Sequence, residues 1–182
     1  GTVNDSQYVW LPLTFPTNTT MNLPWFPKIS VNTSTGAIGG VGGGPYYKFA
    51  SKTDGMCVEI ADSSASNGAK GARGQCASGT DQLNQTWRLQ GAGDGYVRIL
   101  AQHSGKCLDV SDNSTADGGA VIQWPCGTGT NQQWQFRDEG DGYYSFVARH
   151  SGKCLEVTDG GSLVQNTCDS GAAQLYLVRG VK

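Results

Sequence analysis

From Tyr46 to the end of the chain, apolar and polar residues alternate over short runs. Val97 and Ile99 enclose Arg98, and Leu108 and Val110 enclose Asp109. A period of two puts one set of side chains on a buried face and the other toward solvent, so these runs predict short β-strands. Between them stand turn signals, above all Gly93-Asp94-Gly95 and Gly140-Asp141-Gly142. Asp-Gly tolerates the positive backbone φ of a tight hairpin turn, which most residue pairs resist.

The pattern itself recurs at an interval of about 50 residues, the mark of an array of similar units. His103-Ser104-Gly105-Lys106-Cys107-Leu108-Asp109-Val110 returns as His150-Ser151-Gly152-Lys153-Cys154-Leu155-Glu156-Val157, with a weaker copy in Thr53-Asp54-Gly55-Met56-Cys57-Val58-Glu59-Ile60. Core-sized side chains, Phe49, Ile99 and Phe146, precede the first cysteine of each copy at one fixed distance, and Tyr46, Tyr96 and Tyr143 precede those. Downstream, Asn84-Gln85-Thr86-Trp87 matches Asn131-Gln132-Gln133-Trp134, and the third copy is degraded to Ala173-Gln174-Leu175-Tyr176. The repeats run over about residues 46–95, 96–142 and 143–180, each with roughly four short strands. One such unit has too little apolar face to bury alone, so the three must share a core.

Composition strengthens the all-β reading. Of 182 residues, 27 are Gly and only 15% are charged, whereas helical surfaces are usually built from Glu, Lys and Arg. A net charge of -2 gives no electrostatic case for nucleic acid or an anionic membrane as partner. No apolar run approaches the ~18 residues that span a bilayer. The start, Gly1-Thr2-Val3-Asn4-Asp5, has no basic or long apolar stretch, so any signal peptide is expected to have been removed. The six cysteines form three successive neighbour pairs, 57 and 76, 107 and 126, 154 and 168, separated by 19, 19 and 14 residues. Six cysteines allow 15 connectivities, of which three local closures are the simplest, and bridges imply an oxidising, extracellular setting.

Candidate chemistry is sparse. The two histidines, His103 and His150, hold the same place in two repeats, which suits a structural role better than an asymmetric nucleophilic triad. Glu59, Asp109 and Glu156 are likewise repeat-related. They are expected to lie far apart, so no pair faces across a cleft as glycoside cleavage requires. The glycines of residues 39–44 lack the Lys and the strand–turn–helix context of a phosphate loop. The cysteine spacings suit bridges better than metal, and no metal or other cofactor is expected.

Three in-register copies, each with an S-G-K-C-L-D-V-like segment, a cysteine pair and a Q-x-W-like ending, resemble the ricin-type β-trefoil, the fold of the family 13 carbohydrate-binding modules. The resemblance places such a domain over residues 45–182. It implies pseudo-threefold symmetry, one disulfide within each repeat (Cys57–Cys76, Cys107–Cys126 and Cys154–Cys168), and the Q-x-W aromatics in a shared core.

The resemblance also implies a carbohydrate partner. Sugar recognition needs an aromatic face for the C–H groups of the ring and planar polar groups for its hydroxyls. In this family the carboxylate lies two residues after the first Cys and the stacking ring two before the second. The amides come from the Asn-Gln before x-W. The second repeat carries the full set: Asp109, Trp124, Asn131 and Gln132. It departs only at Ile122, where many relatives have Gln; Val121 and Ile122 are expected in the core. The first repeat has Glu59, Asn84 and Gln85 but Gly74 at the ring position. The third has Glu156, Asn166 at the ring position and Gln174, with Ala173 in place of the Asn. Glu is one methylene longer than Asp, so its carboxylate is expected to project into the space a sugar needs. The second repeat is therefore the expected working site and the other two are degenerate.

Residues 1–44 lack the repeat. They hold Val9-Trp10-Leu11-Pro12-Leu13 and Leu23-Pro24-Trp25-Phe26-Pro27, then a Gly-rich stretch at residues 39–44 that reads as a flexible linker. Such a segment is too short to make its own core. The Tyr-Val-Trp-Leu-Pro-Leu run resembles the C-terminal edge of family 43 glycoside hydrolases, which are propellers, so the segment reads as the tail of an upstream catalytic domain. Together these resemblances imply a secreted, non-catalytic module that targets a glycoside hydrolase to polysaccharide. A Trp platform with Asp tilts the ligand toward galactose and β-galactosides such as galactan, with xylan as the near alternative. They imply a galactan-degrading parent such as an exo-β-1,3-galactanase. A free galactose-specific lectin, or a fragment that completes a hydrolase active site, are the rival readings.

Overall fold

A computed structural model describes residues 29–31, 38–40, 46–78 and 82–181. Strands β1 (Ile29–Val31) and β2 (Ile38–Gly40) pair with each other. Gly39 and Gly40, expected as linker, are thus strand residues; the Trp- and Pro-containing runs before Ile29 lie outside the described residues.

The remaining twelve strands fall four to a repeat, as the alternation predicts. Repeat 1 holds β3 (Tyr46–Ser51), β4 (Cys57–Ile60), β5 (Gly71–Gly74) and β6 (Trp87–Gly93). Repeat 2 holds β7 (Tyr96–Ala101), β8 (Cys107–Val110), β9 (Gly119–Trp124) and β10 (Trp134–Asp138). Repeat 3 holds β11 (Tyr143–Ala148), β12 (Cys154–Val157), β13 (Leu163–Asn166) and β14 (Tyr176–Val181). The outer strands of each repeat pair in the cycle β3–β6–β7–β10–β11–β14 and back to β3, which closes a barrel. The inner strands form three hairpins, β4–β5, β8–β9 and β12–β13. These touch in a ring through β13–β9 and the bridges Lys70–Ile122 and Ala72–Ser162. Barrel plus three-hairpin cap is the β-trefoil that the resemblance implies. The expected Asp-Gly turn joins β6 to β7, with Asp94 at φ 53° and Gly95 at φ 81°.

The repeat-related apolar residues meet in one core. Phe49, Ile99, Phe146, Trp87, Trp134 and Tyr176 are all fully buried. The indole N–H groups of Trp87 and Trp134 donate to the carbonyls of Val58 and Leu108, each at 3.1 Å. In the degraded third copy the Tyr176 hydroxyl lies 3.3 Å from the matching carbonyl, Leu155, and 3.2 Å from that of Ala173, so its one hydrogen has two acceptors within reach. At the centre of the cap the matched positions are Gly71, Val121 and Leu163. A Cβ on Gly71 would stand 2.7 Å from the Leu163 Cδ1, so the large residue fills the place the small one leaves. All six cysteines pair within their repeats, Cys57–Cys76, Cys107–Cys126 and Cys154–Cys168.

Side chains clasp successive repeats. The amide of Gln123 donates to the carbonyls of Ser64 and Ser66, and that of Gln165 to Ser114 and Ala116. The repeat-related residue in repeat 1 is Arg73, which reaches the Asp159 carbonyl instead. His103 and His150 bond through Nε2 to the carbonyls of Ser64 and Ser114. Both histidines therefore have the structural placement the sequence suggests. One core assignment needs correction. Along β9 the burial alternates, with Val121 in the core but Ile122 half-buried on the opposite face. A strict period of two cannot put neighbours on the same face, so Ile122 belongs to the outer surface of its hairpin.

Candidate functional site

That outer surface gathers the second repeat's polar set. In β8–β9, Cys107 lies opposite Trp124 and Asp109 opposite Ile122. Cross-strand partners and residues two apart share a face, so Asp109, Ile122 and Trp124 stand together. Trp124 ends its strand just before Pro125 and is 46% exposed, the largest exposure among buried-prone aromatics in the described residues. It is a surface ring, as its expected role requires, and not a core Trp. Beside it opens a cavity of about 430 Å³ lined by Asp109, Trp124, Asn131 and Gln132 together with Ile122, Ser111–Asn113, Pro125, Gly127 and Gly129.

Asp109 sits at the cavity floor, only 5% exposed. Burial pushes its carboxyl above the ordinary range. Bonds from the Gln132 and Asn131 amides and the charge of His150 oppose the shift, and nearby Asp112 adds slightly to it. The Gln132 Nε2 donates to the Asp109 Oδ2 at 2.7 Å and to the Pro125 carbonyl at 3.0 Å, while its Oε1 accepts from the Gly127 N–H at 2.7 Å. Both amide hydrogens are spent inside the protein. Gln132 therefore holds the carboxylate and the loop. Asn131 donates to the Val110 carbonyl at 3.1 Å, which fixes the backbone next to Asp109. Its Oδ1 stands where Gly129 leaves room: a Cβ there would lie 2.5 Å away.

The repeat-related sites reuse this frame and close it. The Gln85 Nε2 donates to the Glu59 Oε2 at 2.7 Å and to the Gln75 carbonyl at 2.9 Å, and its Oε1 accepts from Ala77. The longer Glu59 folds over Gly74, with its Cδ 2.6 Å from where a Cβ would be. A side chain at 74 would therefore require the Glu59 carboxylate to move aside. In repeat 3, Gln174 holds the Glu156 Oε2 and the ring-position Asn166 donates to Oε1, both at 2.7 Å. Asn84 donates to the Ile60 carbonyl at 3.0 Å, as Asn131 does to Val110; Ala173 has no such group. The structure thus brings Asp109, Trp124, Asn131 and Gln132 together beside one cavity. It gives Glu59 and Glu156 partners inside their own repeats.

Sequence reasoning did not find Ser111, Asn113, Gly127 and Gly129 in the lining. The available signal was the polar run Ser111-Asp112-Asn113 directly after β8. Asp112 and Asn113 both take a left-handed backbone, φ 57° and 52°, a conformation that short polar side chains tolerate. This turns the chain back to form the cavity rim. Among the described residues no group of three or more metal-ligating side chains comes together.

The comparisons agree with this architecture. The family model for ricin-type beta-trefoil lectin domain-like sequences matches residues 35–124, 83–168 and 130–180. The chain belongs to that family, and it is a lectin-like carbohydrate-binding domain. It is similar to the designed 3-fold symmetric protein ThreeFoil, with 42% identity over 73% of this chain and 96% of the other, at a TM-score of 0.69. It is also similar to an exo-beta-1,3-galactanase from Clostridium thermocellum, with 38% identity over 100% of this chain and a TM-score of 0.72. The chain spans 40% of that enzyme's length. A Polyporus squamosus lectin, at 18% identity over 75% of this chain and 49% of its own, shares the fold with a TM-score of 0.66. No curated protein sequence matches.

Proposed function

We propose that this module binds β-galactosides through one site, in repeat 2, and targets a secreted glycoside hydrolase to galactan. The observation that carries the reading is the pairing of an exposed Trp124 with a buried, amide-held Asp109 on one hairpin face. A carboxylate has about four acceptor positions. Gln132 takes one, and acceptors remain for adjacent sugar hydroxyls while the ring stacks on C–H groups. Asn131 steadies this arrangement from below. The three disulfides fit an extracellular setting. The full-length similarity to a galactanase supports both the ligand class and the reading of residues 1–44 as the tail of an upstream catalytic domain.

A glycan array followed by calorimetry with galactose, lactose, β-1,3-galactobiose and xylooligosaccharides tests the reading. Galactosides are expected to bind and xylooligosaccharides not to. Binding of xylooligosaccharides alone would overturn the ligand assignment.

A further inference from the structure

The platform Trp124 does not stand on its own repeat alone. The segment Ser64–Lys70 of repeat 1 runs alongside the end of β9. The Gly68 N–H donates to the Gln123 carbonyl at 2.9 Å, the Gln123 N–H donates to the Ala69 carbonyl at 2.8 Å, and Lys70 bridges to Ile122. Four more bonds from repeat 2 fix this segment: two from the Gln123 amide, one from the Lys106 Nζ to the Ala65 carbonyl at 2.7 Å, and one between the His103 Nε2 and the Ser64 carbonyl. Gly68 takes a left-handed φ of 79°, and the Cζ3 of Trp124 lies 3.8 Å from the place of its missing Cβ.

The arrangement has repeat-related counterparts. Gly118 of repeat 2 has φ 78°, and its N–H donates to the Gln165 carbonyl and to the Oδ1 of Asn166, the ring-position residue of repeat 3. Each of these glycines lies under the ring-position side chain of the next repeat. Around Gly118, however, a Cβ would meet nothing within 4 Å. Gly68 alone of the two is roofed by an aromatic ring.

We infer that Gly68 is a positioning residue for the carbohydrate site: the bare backbone of repeat 1 is the floor on which the Trp124 ring of repeat 2 takes its sugar-stacking orientation. The inference rests on the reading of Trp124 as the platform. The ring ends its strand and is half in solvent, so little else restricts its χ angles. A side chain at 68 would extend into the space beneath the ring and tilt it away from the geometry Asp109 shares with it.

The test compares Gly68→Asn with Gly118→Asn. Asn tolerates the left-handed region better than other residues with a Cβ, and the two variants carry the same backbone demand. Protein labelled with 5-fluorotryptophan reports ring position without ligand, the Trp124 fluorine signal being assigned by its loss in Trp124→Phe. In Gly68→Asn the Trp124 signal is expected to move while those of Trp87 and Trp134 stay. In Gly118→Asn all three are expected to stay, and both variants should melt at similar temperatures. Lactose affinity should fall about three- to tenfold in Gly68→Asn, the scale of a lost aromatic contact, and be unchanged in Gly118→Asn. A Trp124 signal unmoved in Gly68→Asn, or moved equally in Gly118→Asn, would overturn the inference. A parent protein that binds no galactoside would sink the functional reading instead, and the fluorine signal would still report the floor.

Discussion

Repeats 2 and 3 build the same hydrogen-bonded frame and reach opposite ends. In both, a Gln from the Q-x-W-like segment clamps a carboxylate at 2.7 Å and a loop carbonyl at 3.0 Å. In repeat 2 the carboxylate is Asp109, its neighbour at the ring position is Trp124, and a cavity remains. In repeat 3 the carboxylate is Glu156, and Asn166 at the ring position consumes its second oxygen. One methylene and one exchange of ring for amide turn an acceptor that lines an open cavity into one with both oxygens bonded by the protein. The frame is therefore part of the fold, and in the proposed reading binding resides in what the frame leaves unpaired. Repeat 1 teaches the same lesson by sterics, since Glu59 occupies the space a side chain at 74 would need.

The harshest way to break the comparison is to open the bridges. Cys107→Ser with Cys126→Ser removes the link beside Trp124, and Cys154→Ser with Cys168→Ser removes its repeat-3 counterpart. Each should cost about 2–5 kcal/mol of stability by denaturant unfolding. Only the first should also weaken galactoside binding. Equal loss of affinity in both would mean that the site is not confined to repeat 2.

Side-chain truncation comes next. Trp124→Ala removes about 1–3 kcal/mol of stacking, and Asp109→Ala removes a charged acceptor worth about 1.5–3 kcal/mol. Weak sugar binding near about 1 mM amounts to only about −4 kcal/mol, so either change should abolish measurable heat in calorimetry. Glu156→Ala and Glu59→Ala should leave affinity unchanged. The fold should persist in all four, because Trp87, Trp134 and Val121 fill the core. Gln132→Leu and Gln174→Leu separate frame from function. Each removes one bond to a carboxylate and one to a loop carbonyl and should lower stability by about 1–3 kcal/mol, while only Gln132→Leu should weaken binding.

Much of this was legible in the sequence because the repeats are in register. Cysteine spacing, the Tyr and Phe positions and the Q-x-W copies each mark the same three units, so strand number and core followed from counting. The placement of Asp109 and Trp124 on one hairpin was legible for the same reason. What stayed hidden depends on contacts between repeats or on which bonds an amide has left. Nothing local announces that Ser64–Lys70 runs alongside the end of β9, because those partners come together only when the hairpins close their ring. Ile122 was misplaced by composition: an apolar residue beside Val121 reads as core until the strand's alternation is applied to it.

The smallest effect is in pH. Burial raises the Asp109 carboxyl above its ordinary range in the folded protein. Such a group favours the fold when protonated, and this contribution is lost as pH rises through the raised folded value. The neutral Asp109→Asn variant should therefore be at least as stable as the parent at neutral pH, with the difference vanishing in acid. Binding should show the opposite trend. The ionised acceptor disappears on acidification at a pH above that of an ordinary aspartate, so affinity should fall there. An affinity that holds constant down to the ordinary carboxylate range would show that Asp109 does not accept from the sugar.

Calorimetric stoichiometry with β-1,3-galactobiose, measured side by side on the parent and on Asp109→Ala, tests the single-site account most directly. The account predicts one ligand per chain and no heat from the variant. A stoichiometry of two or three, or heat that survives in Asp109→Ala, would contradict it.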